Sequence, residues 1–407
     1  MTLKVLLATT CPWFSTARLA MAFHQVGCTV DIVCPPNHPA FSTRALQVHY
    51  RYNGLAPVRS FRTAMLASNP DIVIPCDDLA TRHLHSLYYE VSESKHETAR
   101  NICQLLAASL GDPAGYPITV SREKFMDMVR EEGVRIPETR TVTSAKQVEQ
   151  WLSEHGLPAV LKADGTSGGE GVRIVHTLPE ALRAFRTLHA PLATLIAAKR
   201  TFLDGDWNCV LPWLKQRPRQ VSIQTFVPGP DANVALACWQ GEVLAVLGVE
   251  VQETWKPKGP ATIVRLHDNR EILDAVGKII CRLKFSGLCG FDFIIDPHGD
   301  AYLIEMNARA TQTCSLSLGL GRDLIGSLCS ALSGEHYSSP AIQIRGDTIA
   351  LFPHAWQGDT TSDLFQSSYL DVPTEEPELV KLGIRQLRTT SQEKWLRKFT
   401  ELGLRRP

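Results

Sequence analysis

The chain has 407 residues, which at roughly 150 residues per domain points to two or three domains with ample material for a buried core. Hydrophobic residues make up 44% and charged residues 21%, too apolar for a disordered chain and ordinary for a globular enzyme. With 42 Lys and Arg against 42 Asp and Glu the formal net charge is zero, so no global field draws nucleic acid or an anionic membrane.

The first ~110 residues alternate strand and helix patterns. Lys4–Thr9 reads as a strand. A helix follows to about Val26, with Ser15 or Thr16 as its cap and Gly27 as its stop. Thr29–Cys34 reads as a second strand, Arg59–Ala67 as a helix, and Asp71–Pro75 as a buried strand ending in Asp77-Asp78. Such units imply a parallel sheet with helices on both faces. The turn Thr10-Cys11-Pro12-Trp13-Phe14 has no glycine, so a pyrophosphate cannot approach its backbone as in a dinucleotide fold. A scaffold or acceptor-substrate role is expected for it instead. The apolar run at Leu3–Thr9 is too short for a signal-peptide core. Eleven scattered cysteines with no CxxC pair read as buried thiols in a reducing compartment, and the cytoplasm is the expected location.

Tyr116-Pro117 punctuates the chain. Ser121 then caps a helix carrying Lys124, and Ala145–Glu154 reads as a second helix. Leu157–Ala163 is a strand leading into the glycine-rich Asp164–Gly171, and Val172–Val175 is another. Leu178–Leu188 is helical. Gln220–Val227 is a strand. Asn233–Val251 is broken by the turn signal Trp239-Gln240-Gly241-Glu242, which makes it a β-hairpin and not a membrane span. Ile272, Val276, Ile279, Ile280 and Leu283 fall at helical spacing. Phe291–Ile295 and Ala301–Glu305 form a second hairpin around Pro297-His298-Gly299-Asp300. This block is therefore α+β with antiparallel strands, unlike the first. From about Gly346 a short apolar strand mixes with Pro, Asp and Ser.

Two constellations carry chemistry. Gly165, Gly168, Gly169 and Gly171 permit positive φ and expose backbone N–H groups, as a loop over phosphates requires; a flexible hairpin turn has the same composition. Lys162 just before it adds a point charge suited to phosphate. Asp292 and Glu305 stand on facing strands of the second hairpin, and Asn307 shares the face of Glu305. Three oxygen ligands on one face suit Mg²⁺. Both carboxylates sit in apolar runs, where they need a partner or a metal. Trp13 and Trp255 read as packing residues and His354 as structural or rim. Lys256, Lys258 and Arg265 fit either a phosphate- or carboxylate-binding segment or a solvated loop.

In order and spacing these motifs resemble the ATP-grasp superfamily over about residues 1–335. The run Glu305-Met306-Asn307-Ala308-Arg309 looks like the Glu-x-Asn-x-Arg signature of the carbamoyl-phosphate-synthetase and biotin-carboxylase branch. The resemblance implies that Lys124, Lys162 and the Gly165–Gly171 loop, with Gly165, Ser167, Gly168 and Gly169, meet the triphosphate of ATP. It assigns Gln224, Phe226 and Val227 to the adenine hinge and Asp231 to the ribose. Position 224 usually holds Glu in that superfamily; Gln here still offers an acceptor oxygen. Asp292, Glu305 and Asn307 match its metal positions for Mg²⁺, with Mn²⁺ as the alternative ion. Arg309, with Lys162, would do the catalytic work of gripping carboxylate or phosphoryl.

The implied organisation is a pre-ATP-grasp α/β domain over 1–115, an ATP-grasp module over 116–335 with its lid at about 116–220, and a C-terminal extension over 336–407. The implied activity is an ADP-forming ligase joining a small-molecule carboxylate to an amine through an acyl phosphate, without nucleic-acid or membrane partners and with homodimerisation left open. An ATP-binding regulatory protein without turnover, or a small-molecule kinase, are the alternatives.

Overall fold

Three sheets organise the chain, whose computed structural model describes residues 2–163, 171–190, 219–255 and 259–386. The first joins β1 (Lys4–Ala8), β2 (Thr29–Cys34), β3 (Leu46–Arg51) and β4 (Ile72–Pro75). All its pairs are parallel and its order is β3-β2-β1-β4. Strands β1, β2 and β4 are buried almost end to end, as a sheet covered on both faces by helices must be. Those helices are α1 (Phe14–Gln25), α2 (Pro57–Ser68), α3 (Asp78–Ser92) and α4 (Glu97–Leu110). Helix α1 starts earlier than its composition suggests. Its N-cap is Trp13, with no side-chain cap bond, and Ser15 and Thr16 lie inside the first turn.

Asp77 ties this sheet's ends together. Its carboxylate accepts from the Thr9 hydroxyl at 2.9 Å, from Thr10 N and Oγ1 at 2.6 and 2.8 Å, and from Ala80 N at 2.8 Å. One side chain thus caps α3 and fixes the turn between β1 and α1. Burial pushes its pKa up against these bonds.

A one-turn helix α5 (Tyr116–Thr119) and α6 (Arg122–Glu131) lead into the second sheet. It is antiparallel, with order β5-β8-β6-β7 for β5 (Thr139–Val142), β6 (Ala159–Ala163), β7 (Val172–Val175) and β8 (Val221–Thr225). Helices α7 (Ala145–His155) and α8 (Leu178–His189) cover one face, closing a core of Trp151, Leu161, Phe185 and Ile223.

The third sheet has seven strands: β9 (Asp231–Trp239), β10 (Glu242–Thr254), β11 (Ala261–Leu266), β12 (Gly287–Ile295), β13 (Ala301–Asn307), β14 (Thr348–Leu351) and β15 (Tyr369–Asp371). Their order is β13-β12-β9-β10-β11-β14-β15, antiparallel except for β14 with β15. Two of its strands therefore come from the segment after residue 336. The β9–β10 turn has Gln240 and Gly241 at φ +51° and +88°, the left-handed pair that a two-residue hairpin prefers. Helix α9 (Arg270–Leu283) buries Ile272, Val276, Ile279, Ile280 and Leu283 on one face of this sheet, as their spacing predicts. The other face packs against α10 (Leu324–Ser333) and the first domain. Phe14, Ala17 and Met21 of α1 share one continuous core with Leu247, Ile349 and Phe352. An apolar interface of that kind holds domains rigidly, so the cleft edge between them is fixed.

The ten described cysteines are free thiols, seven of them buried. Among the described residues no helix is long and apolar enough to cross a membrane.

The link from β8 to β9 runs tight against the β12–β13 hairpin. Gly229 has φ +143°, and a Cβ there would stand 1.8 Å from the Ile295 carbonyl oxygen. Gly229→Ala is therefore expected to cost on the order of 3 kcal/mol or more in urea unfolding. Gly299→Ala, at a left-handed turn position with nothing within 4 Å of the added carbon, should cost only about 1 kcal/mol.

Candidate active site

The second and third sheets and the β1–α1 turn enclose a cleft of about 670 Å³. On β6, Leu161 points into the core of the second sheet while Val160 and Lys162 line the cleft, the period-two alternation of a strand. Lys162 is only 7% exposed. Gln224 of β8 also lines the cleft, and its Nε2 donates to Thr139 Oγ1 at 3.0 Å. Phe226, Val227 and Asp231 continue the same wall.

In the middle stands the carboxylate pair. Asp292 and Glu305 are direct cross-strand partners, and Asn307 lies opposite Gly290. Asn233 of β9, which the sequence does not flag, donates to Asp292 Oδ1 at 2.7 Å, and Asn307 Nδ2 donates to Oδ2 at 3.2 Å. Burial and the Glu305 charge push the Asp292 pKa up to about 6, against the two amides and Arg309. Arg122 donates to Glu305 Oε2 at 3.0 Å. Arg309 is gripped on all sides. Its Nε donates to Asp78 Oδ1 at 2.9 Å and its Nη2 to Asn307 Oδ1 at 3.0 Å, while its guanidinium stacks over the Trp13 ring at 5.0 Å. Burial works against its charge, but Asp78, Asp77 and Asp292 hold the pKa above the ordinary value.

Among the described residues no group of three His, Cys, Asp or Glu side chains is gathered for a metal. The donor set here is two carboxylates and one carboxamide, all oxygen, which fits a hard divalent ion that also takes waters and phosphates. Burial first, and the neighbouring Glu305 charge second, raise the Asp292 pKa.

The structure brings Lys162, Gln224, Phe226, Val227, Asp231, Asp292, Glu305, Asn307 and Arg309 to one cleft. Gly165, Ser167, Gly168 and Gly169 lie outside the described residues, as do Lys256 and Lys258. Lys124 does not line the cleft; it is exposed on α6, and Arg122 lines the cleft instead. Residues two apart on a helix point roughly 200° from each other, so only one of the two cations faces inward. The signal was available: Arg122 is in phase with the buried Phe125 and Val129 at i+3 and i+7. Arg265 is exposed and pairs with Asp347 at 3.7 Å. Trp13, Trp255 and His354, read from sequence as packing or rim, all line the cleft.

A parallel α/β sheet, a small antiparallel sheet and a large antiparallel sheet carrying paired carboxylates define an ATP-grasp protein. The chain belongs to the family of the carbamoyl-phosphate synthase L chain ATP-binding domain, whose model matches residues 121–324, half of its length. The carbamoyl phosphate synthase large chain of Rubrobacter xylanophilus is 26% identical over 252 residues, which is 61% of this chain and 22% of that one. The large chain of Methanothermobacter thermautotrophicus is 24% identical over 198 residues, 48% of this chain and 17% of its own. The chain thus spans less than a quarter of these relatives. Among solved structures, N5-carboxyaminoimidazole synthase of Aspergillus clavatus with ADP and 5-aminoimidazole ribonucleotide superposes with a TM-score of 0.60. It is 14% identical, with 84% of this chain and 80% of that one covered. Biotin carboxylase of Campylobacter jejuni with a β,γ-ATP ligand gives 0.58 at 15% identity, covering 83% and 72%. At these identities the likeness is one of fold.

The two cations of α6 separate by mutation. Arg122→Ala is expected to lower ATP turnover by about 100-fold, the loss typical of one aligned donor on developing charge. Lys124→Ala should stay within about twofold of wild type. Steady-state ADP release with titrated ATP is the measurement.

Proposed function

We propose that the chain is an ATP-dependent, ADP-forming ligase that activates a carboxylate as an acyl phosphate and passes the acyl group to an amine. The observation that carries this reading is the convergence of Lys162 and Arg122 from one side, and Asp292, Glu305, Asn307 and Arg309 from the other, on one cleft. Cations for phosphates thereby face oxygen ligands for a divalent ion, as phosphoryl transfer requires.

In this reading Phe226 and Val227 form the adenine wall, Gln224 offers its amide to the base, and Asp231 takes the ribose hydroxyls. Lys162 and Arg122 hold the triphosphate, with Gly165, Ser167, Gly168 and Gly169 assigned by resemblance to the loop over it. Asp292, Glu305 and Asn307 would hold Mg²⁺, or Mn²⁺ in its place, which when bound neutralises charge along the phosphates. Arg309, held by Asp78, Asn307 and Trp13, aligns the substrate carboxylate with the terminal phosphate of ATP. A carboxylate oxygen attacks that phosphorus and ADP leaves. The amine then attacks the acyl carbon, and phosphate leaves with the bridging oxygen. The carboxylate needs this activation because its own leaving group would be oxide. The protein's contribution is alignment and exclusion of the water that would hydrolyse the intermediate.

The proposal carries the division into 1–115, 116–335 with a lid at 116–220, and 336–407, the last segment also supplying β14 and β15. It describes a cytoplasmic enzyme of small-molecule carboxylate and amine substrates, with homodimerisation open.

With ¹⁸O in the substrate carboxylate, one label is expected in the released phosphate for each amide formed, beside ADP. AMP with pyrophosphate, or unlabelled phosphate beside amide, defeats the reading; phosphorylated product without amide makes the chain a kinase. Glu305→Gln should abolish turnover with an unchanged circular dichroism spectrum. EDTA should do the same reversibly. Burial and the Glu305 charge push the Asp292 carboxyl up to about 6, so protons compete with the ion below that pH. Mg²⁺ affinity should therefore fall as pH drops through about 6, read by calorimetry at pH 5, 6 and 7.5.

A further inference from the structure

Most of the described cysteines are buried in the cores as free thiols, but Cys28 and Cys329 are set apart by their contact. Their Sγ atoms are 3.5 Å apart, although 301 residues separate them in the chain. Cys28 opens the link from α1 to β2, and Cys329 lies on α10, so the contact joins the first domain to the layer that covers the large sheet.

The pair is covered, but thinly. Cys28 is 3% and Cys329 is 2% exposed, whereas Cys238 and Cys289, neighbours in the middle of the large sheet, are both 0% exposed. Gly27 next to Cys28 is exposed, and so are residues 334–336 just beyond α10. Half-buried Tyr337 packs over the same core, close enough to both thiols to feel their charge. Local opening of such a segment costs far less than global unfolding, so a small reagent reaches the pair.

The two thiols differ chemically. Burial alone raises a thiol pKa, as for Cys34, pushed up to about 12. Cys28 moves the other way. The Cys329 thiol donates to it, and that bond holds its pKa below the ordinary value against burial and the Asp71 charge. The same bond, with burial, holds Cys329 above. Since the thiolate is the reactive form, Cys28 is the nucleophile and Cys329 the proton-bearing thiol beside it.

We propose that Cys28 and Cys329 are a redox modification site, which a hydroperoxide closes into an intrachain disulfide clamping the first domain to α10. The Cys28 thiolate attacks one peroxide oxygen, and the O–O bond breaks. The hydroxide that leaves takes up the proton Cys28 had released, and Cys28 becomes a sulfenic acid. The Cys329 sulfur then attacks the Cys28 sulfur. The S–O bond breaks, and its oxygen leaves as water with the Cys329 proton. Two thiols are oxidised and one peroxide is reduced to two waters. The sulfurs need to approach by about 1.5 Å to reach bonding distance. Side-chain rotation and the backbone at Gly27 supply this; that glycine has φ +89° and nothing within 4 Å of where a Cβ would stand. The bond would close most of the chain into one loop, which stabilises chiefly by restricting the unfolded state. Neither cysteine lines the cleft, so the clamp is independent of what the cleft turns over.

The test treats the full chain with hydrogen peroxide under native conditions and maps it by mass spectrometry after digestion without reductant. A peptide pair joined through Cys28 and Cys329 is expected, two hydrogens lighter than its parts and separated by dithiothreitol. The oxidised protein should melt about 5 °C above the reduced protein. Cys28→Ser and Cys329→Ser should each remove the joined peptide and the shift. Each variant is compared with its own reduced form, so stability lost to the substitution itself cancels, and the wild-type map decides alone if a variant does not fold. Dimedone should trap a sulfenic acid on Cys28 in Cys329→Ser and leave Cys329 unlabelled in Cys28→Ser. Oxidation confined to exposed Cys281 with Cys28 and Cys329 still thiols, either of them joined to a different cysteine, or a joined pair without a rise in melting temperature overturns the proposal.

Discussion

Two carboxylates set side by side on neighbouring strands are the constraint around which this molecule is arranged. Asp292 and Glu305 face each other across the β12–β13 ladder, and like charges placed so cost free energy unless other groups answer them. The answers come from four separate elements. Arg122 reaches Glu305 from the first turn of α6, Asn233 reaches Asp292 from β9, and Asn307 follows on β13 itself. Arg309 arrives already loaded with Asp78 of α3 and the Trp13 ring. Removing any of these leaves the pair less compensated. The pair therefore fixes where the first domain, α6 and the large sheet stand relative to one another at the cleft.

The consecutive residues Asp77 and Asp78 show how closely scaffold and site are joined. Asp77 is spent inward, on Thr9, Thr10 and the start of α3. That locks the glycine-free turn carrying Trp13. Asp78 is spent outward on Arg309. A rigid turn and a rigid guanidinium follow from adjacent carboxylates, and each needs the other, because Trp13 is the surface on which Arg309 rests. The turn that lacks glycine for a pyrophosphate is instead stiff enough to serve as a wall.

Much of this was legible in the chain. The period of Ile272 to Leu283 is strong because α9 has one wet face and one buried face, and the β12–β13 hairpin reads clearly because its turn residues and apolar runs agree. The metal-type constellation was legible for the same reason, since strand alternation puts Glu305 and Asn307 on one side. Strand β3 escaped because it is an edge strand, half exposed along its length, and so has no continuous apolar run. Helices α3 and α4 escaped because their buried faces are partly polar, with Thr81 and His85 on one and Ser109 on the other. Lys124 stands for Arg122 in the sequence reading because the resemblance supplies it, and a resemblance carries no helix phase. That Trp13 and Trp255 line the cleft was not legible. A tryptophan in a core and one lining a cleft are the same letter, and only the partners, Arg309 for one and His354 for the other, tell them apart.

The family match stops at residue 324, and that boundary has physical meaning. Lys162, Asp292, Glu305, Asn307 and Arg309 lie within it, all but Arg309 on strands whose register leaves little freedom to vary. The far end of the cleft is built in part from outside it: Arg18 from α1, and Phe352, His354 and Asp371 from the segment that completes the large sheet. Because β14 hydrogen-bonds to β11, that segment cannot drift away from the reactive centre while the sheet is intact. Among the described residues it nevertheless contributes no hydrogen bond to the Asp292, Glu305 and Arg309 network. A fold wired this way leaves the Arg18, Phe352, His354 and Asp371 end free to vary while Asp292, Glu305 and Asn307 stay where the β12–β13 ladder puts them.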